Sequence, residues 1–256
     1  VTGEELGEGW DSVATLVDGR WVERRPKRDE VRAWLLRETR VLPWLAPQLP
    51  VAVPIPLVWR ENPLVVRHEL VPGEPAELTA EDGRVLGRFL HALHSADAAK
   101  ARELGAEPEV LALDAVPPLL GPLAERGRAL LAEVRDYPAD TVIHADLGPE
   151  HVLKRDGRLS GVIDWTDVGI GDPARDLAWL LHWTSAECVE AFSEEYEVTP
   201  ELRRRAWAWN QLGPWYEVAY GVQNDRPDLV ESGLAGTRAR LAETSQPCRE
   251  EKDRQG

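Results

Sequence analysis

His144-Ala145-Asp146-Leu147-Gly148-Pro149-Glu150-His151, followed by Ile163-Asp164-Trp165, is the stretch that decides how this chain is read. Asp146 stands just after the short apolar run Thr141 to His144, in a loop carrying Gly148 and Pro149. Val152 to Lys154 and Leu159 to Asp164 flank Asp156-Gly157, a pair that favours a tight hairpin turn. That hairpin returns the chain toward its start, so Asp164 is expected beside the Asp146 loop. Two carboxylates then face one cavity near a histidine. One is suited to accept a proton from a hydroxyl and the other to hold Mg²⁺. Taken singly, each Asp also suits a turn or a helix cap; the paired spacing between strands favours chemistry.

Outward from this core, Val13 to Val17 and Arg20 to Arg24 flank Asp18-Gly19, a second hairpin signal. A helix is expected from about Arg28 to Leu45, with Val31, Trp34, Leu35, Leu42 and Leu45 at helical spacing. Glu38 falls within that apolar stripe, and a buried carboxylate needs a cation or hydrogen-bond donors. The Pro-rich text from Leu49 to Pro56 reads as an extended connector, because Pro cannot donate to a sheet ladder. Leu64 to Leu70 reads as a buried strand, and Val71-Pro72-Gly73 breaks it. Thr79 and Asp82 mark a helix start. Asp172-Pro173 marks another, and two more helices are expected over about 200–220 and 226–243.

Composition bounds the function. The chain has 256 residues, with 30 Lys and Arg against 45 Asp and Glu, a formal charge of −15. Such a surface repels nucleic acid and anionic membranes and attracts a cationic small molecule; it also serves solubility. No apolar run approaches the ~18 residues of a membrane helix. Cys188 and Cys248, the only two cysteines, make neither a disulfide framework nor a zinc site. The acidic start is unlike a secretory signal. The expectation is a cytoplasmic monomer with no nucleic-acid or membrane partner. Eleven tryptophans, several in the C-terminal helices, suit core packing and also a pocket for a bulky or cationic ligand. Asp167, Glu187, Glu190, Glu194 and Glu195 offer negative charge near it.

The Asp146 loop resembles the catalytic loop of the aminoglycoside phosphotransferase family, which usually reads His-Gly-Asp, four residues, then Asn. Gly161-Val162-Ile163-Asp164-Trp165 resembles that family's metal-binding segment, and Gly171-Asp172-Pro173-Ala174-Arg175-Asp176 its following turn. The likeness runs from about Gly7 to Leu241. It implies an α+β, two-lobed protein kinase-like fold: a nucleotide-binding lobe over 1–70, a catalytic and substrate lobe over 71–242 and a polar tail over 243–256.

By this resemblance Asp146 is the catalytic base or hydroxyl-positioning group, and Asp164 binds the Mg²⁺ that bridges the phosphates of ATP or GTP. His144 holds the loop, while Asp172 and Asp176 cap and brace a helix. His151 is the departure, standing where the family usually has Asn. Imidazole is a poorer Mg²⁺ ligand than an amide oxygen, although macrolide phosphotransferases are similar in having His there. Gly7-Glu8-Gly9-Trp10-Asp11-Ser12 resembles a phosphate-covering loop, with Gly9 and Ser12 near phosphate; no P-loop motif is present. Arg24, paired with Glu38, stands where kinases carry the phosphate-binding Lys, with Lys27 as the alternative cation. Backbone groups near His68 and Leu70 are expected to meet the base.

The implied reaction is γ-phosphate transfer to a hydroxyl of an aminoglycoside antibiotic. The rivals are a macrolide, a small metabolite, or a pseudokinase that binds nucleotide without turnover. The short span from Asp164 to Asp172 leaves no room for the activation segment of a protein kinase.

Overall fold

The structure, a computed structural model, describes residues 3–8 and 11–242. The chain forms two compact units, Val1–Glu109 with Pro138–Thr199 and Val110–Tyr137 with Pro200–Gly256. Residues 243–256, expected as a polar tail, lie outside the described residues.

The first unit opens on an antiparallel sheet of β1 (Gly3–Glu8), β2 (Ser12–Val17), β3 (Trp21–Pro26), β4 (Leu57–Arg60) and β5 (Val65–Glu69), in the order β1-β2-β3-β5-β4. The β2–β3 turn has positive φ at both Asp18 (53°) and Gly19 (64°), the backbone that an Asp-Gly pair tolerates best. α1 (Asp29–Leu45) follows β3. Its Val31 and Leu35 pack with Leu64 and Val66 of the sheet region, flanked by Trp34 and Leu36. β4 was not expected from sequence. All four of its residues are exposed, so it carries no inside–outside alternation to betray it.

Next come the short β6 (Glu74–Pro75), α2 (Ala80–His94) and α3 (Ala98–Glu103). The capping box at the start of α2 is complete: Asp82 N–H donates to Thr79 Oγ1 at 3.3 Å, and Thr79 N–H donates to Asp82 Oδ2 at 2.8 Å. Lys154 Nζ donates to the same Asp82 oxygen at 2.6 Å. α4 (Ala124–Arg135) belongs to the second unit.

The site-bearing segment is β7 (Thr141–Ile143), β8 (Val152–Arg155), β9 (Arg158–Val162), β10 (Gly169–Gly171) and α5 (Ala174–Trp183). β7 pairs with β10, and β8 pairs with β9 and β6. α6 (Ala186–Glu195) then packs on α2. Gly83 and Gly87 allow that approach: a Cβ at Gly83 would lie 2.3 Å from the Cys188 carbonyl oxygen, and one at Gly87 would lie 2.8 Å from that of Phe192. α7 (Pro200–Gln223) and α8 (Pro227–Ala242) pack together and complete the second unit. No described helix is long and apolar enough to cross a membrane.

Replacing Thr79 by Ala removes the cap on α2 and is expected to cost about 1 kcal/mol of stability. Denaturant unfolding of the variant against the parent protein checks this.

Candidate active site

The Asp146 loop is held from outside. Asp176, fully buried on α5, accepts the His144 N–H through Oδ2 and the Ala145 N–H through Oδ1, both at 2.8 Å. His94 Nε2 lies 3.1 Å from Asp176 Oδ2, and the Tyr196 hydroxyl lies 2.7 Å from His94 Nδ1. Burial works against the charge of Asp176, yet the His94 hydrogen bond, with the His144 amide, holds its carboxyl below the usual range. Asp176 therefore does more than brace a helix. Asp172 is the cap: its Oδ1 accepts the Ala174 N–H at 3.1 Å.

These two amide bonds hold Ala145 at φ 70°, in the left-handed region that a β-carbon disfavours. His144 is fully buried behind the loop. Its Nδ1 accepts the Asp146 N–H at 3.2 Å, so its proton sits on Nε2, which donates to the Ile163 carbonyl at 3.0 Å. Burial pushes this imidazole toward its neutral form, as that tautomer requires. Trp165, also fully buried, packs edge-on against His144 at 4.6 Å and Phe89 at 6.2 Å. A single buried set thus fixes the segments bearing Asp146 and Asp164.

The β8–β9 hairpin returns as anticipated, and the Ile163 N–H donates to the His151 carbonyl at 2.9 Å. His151 Nδ1 lies 2.7 Å from the Asp146 carbonyl oxygen, while its Nε2 faces Asp164 Oδ2 at 3.8 Å. Asp164 itself has φ 59°. Its Oδ1 accepts the Thr166 hydroxyl at 2.9 Å and lies 3.5 Å from Arg24 Nη2.

Arg24 is the hub. Its Nη1 donates to both oxygens of Glu38, at 3.0 and 2.9 Å, its Nη2 to Thr166 Oγ1 at 2.5 Å, and its Nε to Ser12 Oγ at 3.3 Å. The Arg24 and Glu38 side chains are only 12% and 2% exposed. Burial pushes the Glu38 carboxyl up, and Arg24 opposes the shift. Asp164 also feels burial, but Arg24 and His151 hold its carboxyl below the ordinary value. Asp146 goes the other way: although its side chain stays half exposed, partial desolvation in the cleft, joined by the carboxylates of Asp167, Asp164 and Glu150, pushes it up to about 7 against the pull of His151.

Asp146, His151, Asp164, Arg24, Glu38 and Ser12 are therefore joined in one run of contacts. Lys27 is exposed beyond β3. At the end of β5, His68 Nδ1 is hydrogen-bonded to the Glu69 carbonyl at 2.8 Å, and the Leu70 N–H donates to the Arg20 carbonyl at 2.8 Å. Gly9 lies outside the described residues, and Gly7 belongs to β1. Of the acidic residues offered as negative charge near a substrate pocket, Glu194 and Glu195 are tied to Arg84 and Arg88 of α2. Thr166 was missed; a lone Thr two residues after Asp164 gives no signal until α1 and β3 fold against it.

Among the described residues no group of three or more His, Cys, Asp or Glu is placed to hold a metal by itself. Mg²⁺ does not need one, because it is commonly bound by one or two carboxylates with substrate phosphates and water completing its shell. The outward Oδ2 of Asp164, with His151 beside it, fits that pattern.

Comparison with known proteins gives a consistent frame. The profile of the phosphotransferase enzyme family matches residues 2–209. Viomycin phosphotransferase of Streptomyces vinaceus is 46% identical over 77 residues, 28% of this chain and 20% of that protein. The chain thus spans a fifth of that relative's length, and 60% of that of an uncharacterized Bacillus subtilis relative. Among solved structures, the GDP complex of wild-type aminoglycoside 2'-phosphotransferase-IIIa superposes with a TM-score of 0.76 at 22% identity, covering 94% of this chain and 93% of that one. The apoenzyme of macrolide 2'-phosphotransferase MphH from Brachybacterium faecium superposes at 0.71 and 26% identity, covering 92% and 90%. The fold is the α+β protein kinase-like fold.

Asp176→Asn is expected to destabilise the protein by about 3 kcal/mol at pH 7, since it strands buried donors. Because the folded carboxyl is depressed, its contribution is present above the unfolded value near 4 and is lost as pH falls through the folded one. The gap between variant and parent therefore narrows in acid, as unfolding free energies measured across pH will show. Ala145→Gly relieves the left-handed strain and is expected to raise stability by about 1 kcal/mol in the same assay.

Proposed function

The chain belongs to the phosphotransferase enzyme family, and on that premise we propose that it transfers the γ-phosphate of ATP or GTP to a hydroxyl of a cationic antibiotic, an aminoglycoside first. The observation that carries this reading is the unbroken run from Asp146 through His151 and Asp164 to the buried Arg24–Glu38 pair. It brings together a carboxylate suited to accept a proton, a carboxylate suited to a metal and a fixed cation suited to phosphate. Phosphoryl transfer needs little else, because positioning and electrostatics supply most of its acceleration.

Asp146 receives the substrate hydroxyl and orients or deprotonates it. Its raised carboxyl suits a group that must take up a proton near neutral pH. Arg24, held by Glu38, presents a guanidinium to the phosphates, and Ser12 supplies a hydroxyl beside it. Asp164, with His151, holds Mg²⁺, which when bound neutralises charge on the phosphates. The −15 formal charge favours a polyamine substrate. A macrolide, which carries one amine, is the second reading, favoured by His151 at the Asn position. The GDP bound by the aminoglycoside relative supports a purine nucleotide donor. We assign the working form as a cytoplasmic monomer.

Incubation with ATP or GTP and a mixed aminoglycoside, macrolide and amino-alcohol panel, read by mass, should show the gain of one phosphate on an aminoglycoside. Gain on an amino alcohol alone would replace the antibiotic assignment with a metabolite kinase; no gain from any acceptor would point to a pseudokinase. Asp146→Asn is expected to abolish transfer, by about 10²-fold or more, while nucleotide affinity measured by calorimetry survives. Unchanged turnover would remove Asp146 from its role. Asp164→Ala should weaken nucleotide binding with Mg²⁺ present and leave metal-free binding nearly unchanged.

A further inference from the structure

We propose that Thr166 is a positioning residue: its hydroxyl fixes the carboxylate of Asp164 so that Oδ2 is turned outward to meet a nucleotide-bound Mg²⁺. The inference rests on the reading of Asp164 as a metal carboxylate and adds to it the residue that sets the direction of that carboxylate.

Thr166 is 5% exposed and is gripped at both ends. Arg37 Nη2 of α1 donates to its carbonyl, and Arg24 Nη2 of β3 donates to its hydroxyl at 2.5 Å. The hydroxyl oxygen is thus in use as an acceptor, and it has one proton to give. Two carboxylate oxygens lie within reach, Asp164 Oδ1 at 2.9 Å and Glu38 Oε1 at 3.2 Å. Glu38 has less need of that proton, because Arg24 Nη1 already serves both of its oxygens, at 3.0 and 2.9 Å. For Asp164, Arg24 Nη2 stands farther off, 3.5 Å from Oδ1, and is already committed to Thr166. The hydroxyl proton therefore goes to Asp164.

What this bond supplies is orientation. The Asp164 side chain is 45% exposed, and the terminal torsion of a free carboxylate is broad and nearly two-fold. Left to turn, it would offer a metal either oxygen in many directions. With Oδ1 held by Thr166 and Arg24, Oδ2 is the oxygen set toward His151, 3.8 Å from its Nε2. The backbone takes part as well. Asp164 has φ 59°, a left-handed turn that Asp tolerates, and two residues later Thr166 is back within reach of the Asp164 side chain. Mg²⁺ demands near-octahedral geometry, so a carboxylate fixed beforehand binds it with less ordering left to do. Hydrogen-bonded partners of metal ligands act in this way, and losing one typically costs about 10–100-fold in affinity.

The test compares Thr166→Val, which keeps the branched shape and removes the hydroxyl, with Thr166→Ser, which keeps the hydroxyl. Affinity of the full-length protein for ADP is measured by calorimetry with Mg²⁺ and again with EDTA. Thr166→Val is expected to lose about tenfold with Mg²⁺ and to stay within about twofold of the parent in EDTA, while Thr166→Ser matches the parent in both. A merely structural role would lower the melting temperature and leave the Mg²⁺ dependence where it was. Unchanged affinity of Thr166→Val with Mg²⁺ overturns the proposal. So does an equal loss with and without Mg²⁺, which would place the effect on Arg24, or a Thr166→Ser protein that fails to match the parent. If Thr166→Val does not fold, Thr166→Ala is read by the same criteria, and Thr166→Ser still decides. Asp164→Ala separates this inference from the reading beneath it. A Mg²⁺-specific loss in Asp164→Ala with none in Thr166→Val defeats the role of Thr166 alone; no Mg²⁺-specific loss in either defeats the metal assignment of Asp164 as well.

Discussion

One guanidinium organises the junction of β2, β3, α1 and the segment after β9. Arg24 is almost fully buried and bonds both Glu38 oxygens, the Thr166 hydroxyl and Ser12, with Asp164 within 3.5 Å. Removing such a cation would strand Glu38 in a site from which water is excluded, at a cost of about 3–5 kcal/mol. The pair also ties β3 to α1 and both to the segment after β9. Arginine suits this position because its fixed fork reaches several acceptors at once, whereas a lysine ammonium would bind as a point charge. Its charge is also permanent, so this buried cation does not change character with pH.

The Asp146 side rests on a different principle. Arg24 holds side chains; Asp176 holds backbone. Its two oxygens take the amides of His144 and Ala145, and His144 in turn takes the Asp146 amide and reaches Ile163. Each member is satisfied, which makes a buried polar network stabilising and specific. The result is a stiff loop whose carboxylate side chain remains 55% exposed.

Local rules made much of this legible. The Asp-Gly hairpins, the Thr79–Asp82 capping box and the apolar stripe of α1 are short-range signals, and each appears in the structure where its residues place it. Glu38 was readable because a carboxylate in an apolar stripe demands a partner. β4 was not, because its exposed residues have no burial pattern. α6 was hidden for another reason: Ser185 caps a new helix two residues after Trp183 ends α5, and the apolar spacing runs on without a break. Thr166 and the reach of His94 to Asp176 depend on contacts 128 and 82 residues apart, which no local pattern encodes.

The left-handed Ala145 has a consequence for how the chain comes off the ribosome. Its conformation is imposed by a carboxylate 31 residues downstream. A nascent chain that has emerged only as far as Trp165 already carries Arg24, Glu38, Asp146, His151 and Asp164, yet the loop lacks the group that bends it. Nothing local favours that backbone for alanine, so the loop relaxes until α5 docks. The loop geometry is thus completed only once α5 is in place, and fragments ending before Asp176 hold Asp146, His151 and Asp164 without the group that bends it.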